Sequence, residues 1–500
     1  LVVATFLILG FALVGDLRAA DDDKELKFGT TLSFASGWDP AHDFDGWVAV
    51  EMGLVETLAR FDDQMNPVPW LAESIENVDP LTWRVTVRDN ITFHNGERVT
   101  GQAVKDSLVR LIGLLERAKE ALVIDSIEVL GRTLTVKTKK PNPTFVNALC
   151  EPFAAIVFTG EISDQLVYGT GPFKADTFKP NGNASVVRYD AYWGGPAKLD
   201  RYTSVYVADM GTLTMAMQAG ELDGTISVPG PSRQFFINNP DYVINVVPSS
   251  RIVYLYYNHK NPFLADKNVR RAINLAIDKK TICDVLLSGS CVPATGLFPS
   301  YLPYSGERLK SEAYDMEAAK AILDAAGYKV GPNGLRQKDG KNLFLRICTY
   351  TGRVEMPILG EAVQAQLTEL GIETELEIME SVSDKERSGD FDILTSSKIT
   401  IPLGDPYAML NYLMTPNGFY NHGKYHDPES EKLIAQLAEE FDSSKRSELA
   451  IAVLQRALDD NAFGFIAHLN RTLITKERVV DLPNHPSDMY GVTNKTDLKD

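Results

Sequence analysis

Residues 252–278 read IVYLYYNHKNPFLADKNVRRAINLAID, an apolar run followed closely by an amphipathic one. Ile252-Val253-Tyr254-Leu255-Tyr256-Tyr257 joins β-branched and aromatic side chains in a run too short for a stable helix, which predicts a strand. In 269–278, Val269, Ala272, Ile273, Ala276 and Ile277 recur at i, i+3, i+4, i+7 and i+8, so one helix face is apolar and the other charged. The same alternation continues in both directions. Upstream, 83–87 (WRVTV) and 133–137 (TLTVK) predict strands; downstream, 316–326 and 357–370 predict helices closed by Gly327 and Gly371, the residue type that reaches a left-handed cap without steric cost. Strands alternating with amphipathic helices mean an α/β fold.

At 500 residues, 44% hydrophobic and 23% charged, the chain is too long for one simple core, and two or three domains are expected. A net charge of −17 supplies no basic stripe, so nucleic acid is not an expected partner. Residues 1–14 (LVVATFLILGFALV) have the length of a signal-peptide core, and 17–20 (LRAA) offer small residues for cleavage, so 1–20 reads as a cleavable leader for export to the periplasm. The run is shorter than the roughly 20 apolar residues that cross a bilayer. No Cys follows it, which favours a freely diffusing protein over a lipid-anchored one. Cys150, Cys283, Cys291 and Cys348 lack zinc-site spacing. Cys283 and Cys291 are close enough in sequence for a disulfide in an oxidising compartment, and four buried thiols is an equal reading.

Motifs of chemistry are missing. No GxxxxGK[ST] cradles a nucleotide phosphate, and Gly169-Thr170-Gly171 runs into Pro172, which suits a strand turn better than a dinucleotide finger. No GxSxG, HExxH or SxxK arrangement has partners at a useful spacing, so a secreted hydrolase is disfavoured and no catalytic cofactor is expected.

What the chain does contain is an ordered series of landmarks: Trp38-Asp39-Pro40, Val55-Glu56-Thr57-Leu58, Phe93-His94-Asn95-Gly96-Glu97, Gly169-Thr170-Gly171-Pro172-Phe173, Tyr192-Trp193-Gly194-Gly195, Ala219-Gly220-Glu221-Leu222-Asp223, residues 258–263 (NHKNPF), Gly389-Asp390-Phe391-Asp392-Ile393 and Asp405-Pro406. In that order it resembles family 5 of the extracytoplasmic solute-binding proteins, which serve peptide and nickel ABC importers. The resemblance implies a two-lobed periplasmic-binding-protein fold (type II, cluster C-like), with an extra subdomain in lobe I and hinge strands between lobes. Lobe I would be 25–250 with the tail 473–500 returning to it, and lobe II 251–472. It also implies a non-enzymatic monomer that closes on a small ligand and delivers it to an ABC permease in the inner membrane.

Peptide binders of the family place an aromatic and an acidic residue after the GDFDI-like strand, where this chain has 398–403 (KITIPL). That departure, with the likeness of 141–153 (PNPTFVNALCEPF) to the nickel branch, points to nickel or a nickel chelate as the transported ligand; a di- or oligopeptide is the alternative. Nickel is held by histidine nitrogens or arrives wrapped in a chelator. His42, His422 and His485 are the candidate metal contacts, although a solvated or packing role is the ordinary one for each. Arg117 and Arg353 could grip a chelator carboxylate, since a guanidinium fork matches it bidentately. Trp38, Tyr407 and Tyr420 could wall the pocket, with Asp405 and Asn421 in the same run of landmarks. Glu151 stands where some nickel-branch relatives resemble one another in having arginine, and would favour a cation.

Overall fold

The structure, a computed structural model, describes residues 24–42, 44–226, 228–401 and 404–499. The expected leader, 1–20, lies outside the described residues. One mixed sheet runs through the molecule in the order Glu373–Met379, Phe344–Tyr350, Ile393–Ile399, Tyr242–Tyr257, Phe463–Lys476, Gly224–Thr225, Glu25–Thr30, Arg201–Tyr206, Ala184–Arg188, Phe173–Phe178. The two long central strands, 16 and 14 residues, pair antiparallel with each other.

The predicted strand 252–257 is the second half of Tyr242–Tyr257. The first half escapes sequence reading because Pro248 and several exposed positions break its apolar run. Between Pro248 and Ile252 the register with Phe463–Lys476 shifts. On one side of this irregularity the strand pair adjoins Gly224–Thr225 and, through it, Glu25–Thr30; on the other it adjoins Ile393–Ile399. Extra residues of this kind bend a strand, so the step at 248–252 is where the sheet passes from one half of the molecule to the other.

The first half buries Leu26, Phe34, Trp38, Val48 and Leu54. Onto it is built a four-stranded antiparallel sheet, Ala72–Asp79, Thr82–Val87, Thr133–Thr138 and Ile124–Leu130, covered by the helix Gly101–Leu114, whose Thr100 accepts from Ala103 N. Trp83, Val85 and Val87 point inward at alternate positions, as a sheet with one buried face requires. The second half packs Lys267–Ala276, Met316–Ala325 and Glu355–Glu369 against the sheet around Val253, Leu255 and Tyr257. The opposite face of the same strand, Ile252, Tyr254 and Tyr256, is fully buried in another core, with Leu394, Met409 and Phe463.

All four cysteines are free and buried. Among the described residues no helix is long and apolar enough to cross a membrane.

Candidate functional site

The halves meet around a cavity of about 630 Å³. Its first wall is the turn after Glu25–Thr30 together with the helix Asp45–Glu51, which presents Phe44, Trp47 and Glu51. Trp47 is fixed by its indole N–H, which donates to Asp488 O at 2.9 Å. The opposite wall is the start of Glu355–Glu369, with Arg353, Val354, Glu355 and Ile358. The floor comes from the hinge strands: Ser249 and Arg251 at the register shift, Leu469 and Arg471 across from them. Phe44, exposed, turns an apolar ring toward this cavity.

Charge is concentrated here. Arg471 Nε lies 2.8 Å from Asp488 Oδ1, and its Nη2 is 3.8 Å from Glu51 Oε1. Arg353 Nε donates to Glu355 Oε1 at 2.8 Å. Burial pushes the Glu51 carboxyl up to about 7, with Arg471 opposing. Burial also raises Asp488. Arg251 is brought down to about 10 by burial and by the neighbouring Arg353.

Outside the lining of this cavity are two further clusters. Arg117 stacks 5.1 Å over the Phe153 ring, and beside it Glu151 is buried with Oε1 unpartnered. Burial pushes the Glu151 carboxyl up to about 8, opposed by Arg117. In the second cluster Lys398 Nζ sits 4.8 Å over the Tyr420 ring and 3.3 Å from Glu386 Oε1. His422 Nε2 is 4.0 Å from Glu386 Oε2, and its ring meets Tyr256 edge to face. Burial holds the His422 imidazole below its ordinary range, against the pull of Glu386.

The other candidates are held by local structure. Trp38, 1% exposed, packs on Phe34 and Phe178 in the core of the first half. Asp405 caps the helix Pro406–Met414 by accepting from Tyr407 N, and takes both Nε and Nη2 of Arg446 at 2.9 and 2.6 Å. Tyr407, on that helix, packs partly buried against the adjacent core. Asn421 ties its loop by bonds to Thr415 O, Tyr425 O and Tyr425 N. His42 stands between Asp39 and Asp164, 3.9 Å from each. His485 uses both ring nitrogens, toward Ser487 Oγ at 2.7 Å and Asp62 O at 3.0 Å. His42, His422 and His485 therefore occupy three separate surroundings. Among the described residues no three His, Cys, Asp or Glu side chains converge as a metal cage.

Sequence reasoning missed Glu51, Arg251, Lys398, Arg471 and Asp488. The available signal was a charge inside or beside a strand-like run: Arg251 directly precedes IVYLYY, and Arg471 lies within Phe463–Lys476.

The profile of Bacterial extracellular solute-binding proteins, family 5 Middle, matches residues 66–421. The chain belongs to this family. Among family 5 relatives, the nickel-binding protein NikA of Staphylococcus aureus is 29% identical over 457 residues, 90% of each chain. The structure of NikA from that organism in complex with Ni(L-His)2 superimposes with a TM-score of 0.77 at 27% identity, covering 95% of this chain and 100% of that one. The crystal structure of a nickel ABC transporter protein from Bacillus halodurans is 30% identical, with a TM-score of 0.85 and the same coverages. The oligopeptide-binding protein AppA of Bacillus subtilis is 25% identical over 477 residues, 90% of this chain and 87% of that one. The family 5 fold is thus the type II periplasmic-binding-protein fold, its members being extracytoplasmic solute-binding proteins of importers.

Proposed function

We propose that this family 5 protein captures nickel as a small organic chelate between its lobes and delivers it to the permease of an ABC importer. The observation that carries the reading is the cavity shared by both halves at the hinge, about 630 Å³ and mixed apolar and charged in lining. Its volume is in the range of small-molecule sites, far larger than a bare ion needs. The scattered positions of His42, His422 and His485 favour a metal whose coordination is filled mainly by its chelator. Arg353 borders that cavity.

On this proposal the leader 1–20 is removed on export, the mature chain works as a monomer without altering its cargo, and closure about the 248–252 step is the signal the permease reads. The relationship to AppA supports a peptide as the second reading. Calorimetry decides between them: heat from nickel(II) with free L-histidine and none from a mixed di- to nonapeptide library supports the chelate, and the reverse result rejects it.

A further inference from the structure

Two of the four buried cysteines meet in the core of the second half. Cys283 lies in the wide helical turn Ile282–Leu286, and Cys291 begins the short strand Cys291–Pro293. The chain between them turns back through Ser288 and Gly289, both left-handed, and Gly289 N donates to Cys283 O at 2.8 Å. That turn brings the two thiols into a hydrogen bond with each other, both of them buried. The other two cysteines have different neighbours: Cys150 Sγ donates to Val146 O at 3.4 Å, and Cys348 Sγ stands 3.9 Å from Glu377 Oε2.

The loop that Cys283 and Cys291 bracket has little packing of its own. Val285 and Leu286 face solvent, and Ser288 holds a left-handed backbone that costs energy for any residue with a side chain. Its position is nonetheless exacting. Leu287 and Ser290 line the inter-lobe cavity, and Gly230, from the first half, packs so closely that a Cβ there would overlap Leu287 O. One end of the loop is fixed to the hinge strand Phe463–Lys476, where Cys291 pairs with Leu469 and Asn470 N donates to Ser290 O at 2.9 Å. A covalent bond between the two ends would keep the loop in this shape. Family 5 proteins work outside the cytoplasm, where thiols are exposed to oxidants.

We propose that Cys283 and Cys291 are joined by a disulfide in the exported protein, stapling loop 284–290 to the hinge strand and presetting this part of the cavity rim. The bond forms during folding. A thiolate of the unfolded chain attacks a disulfide oxidant and releases one of its sulfurs; the second cysteine then displaces the other. The pair gives up two electrons and two protons, and the oxidant becomes two thiols. In the folded chain the hydrogen bond to Cys283, together with burial, holds the Cys291 thiol above its ordinary range, so a chain that has folded reduced oxidises slowly.

The staple does not depend on what the cavity binds, and neither does its test. The full chain is exported, alkylated under denaturing conditions and mapped by mass spectrometry. Cys150 and Cys348 should be alkylated, and one pair of peptides should be linked through Cys283 and Cys291. Four alkylated thiols, or a link that includes Cys150 or Cys348, overturns the assignment. The effect on the loop is read by limited proteolysis of the native chain within 284–290. The double variant Cys283→Ser with Cys291→Ser should be cut there roughly tenfold faster than the oxidised parent, with cutting elsewhere unchanged. If that variant does not fold, the parent refolded under reductant supplies the same comparison. Equal rates of cutting in the linked and unlinked forms would overturn the stapling role.

Discussion

Glu151 is buried next to Arg117 with one carboxyl oxygen unpartnered, and the fold holds it protonated. Its pKa is raised, so the folded state binds a proton that the unfolded chain releases. Stability is therefore fully present below about 4.5 and is lost as pH climbs toward about 8. Glu151→Gln keeps the shape and removes the titration. The variant should gain about 2–4 kcal/mol over the parent at pH 8 and almost nothing at pH 4.5, read from urea midpoints at the two pH values. An identical shift at both would show that burial is not what perturbs the group. Arg446 poses the opposite case: its guanidinium meets Asp405 twice and also donates to Leu437 O and Glu440 O. Arg446→Met strands a buried carboxylate, and a loss of about 3–5 kcal/mol in chemical denaturation is expected. Asp405 also shows how sequence reading reaches its limit at this scale. An Asp-Pro landmark in a cleft-like stretch reads equally well as ligand contact or helix cap, and only the partner across the fold, Arg446, distinguishes them.

The elements were more legible, because periodicity reports local structure directly. The apolar spacing at 269–278 corresponds to the helix Lys267–Ala276, and 316–326 to Met316–Ala325, capped by Asp315. The helix expected at 357–370 starts earlier, at Glu355, since Pro357 is tolerated in a first turn. The landmark Gly169-Thr170-Gly171-Pro172-Phe173 leads into the strand Phe173–Phe178, and the tertiary structure supplies its reason. A methyl group on Gly171 would overlap the carbonyl of Gly53, and one on Gly169 that of Leu54, while His94 is held at both Gly169 O and Gly171 O. Two backbone segments approach more closely here than any Cβ allows. Gly171→Ala should cost about 3 kcal/mol or more, seen as a lowered urea midpoint with an unchanged slope. An alanine variant as stable as the parent would mean that the segments separate easily. The glycines themselves are visible in the sequence; the turn they must clear, at Gly53-Leu54, is more than a hundred residues upstream and is not.

At the scale of the whole molecule, the halves also touch at points remote from the cavity. Trp83, from the four-stranded sheet, meets Phe441 at 6.3 Å between ring centroids, and Gly404 packs so tightly on Phe61 that no side chain fits there. Both contacts join the first half to the second, and neither residue pair lines the cavity. If ligand binding draws on an equilibrium between open and closed arrangements, the apparent affinity falls with the population of the closed one. Phe441→Ala removes an aromatic contact worth about 1 kcal/mol, which converts to roughly fivefold weaker binding of the nickel–histidine complex. Solution scattering supplies the second reading. The unaltered protein should contract on binding, and the free Phe441→Ala variant should be the more expanded of the two free forms. Both effects arise at a residue that touches no ligand, so altered affinity without altered scattering would assign the loss to local unfolding. Unchanged affinity and unchanged scattering together would mean that the halves form one rigid body, and the hinge role of the 248–252 step would have to be given up.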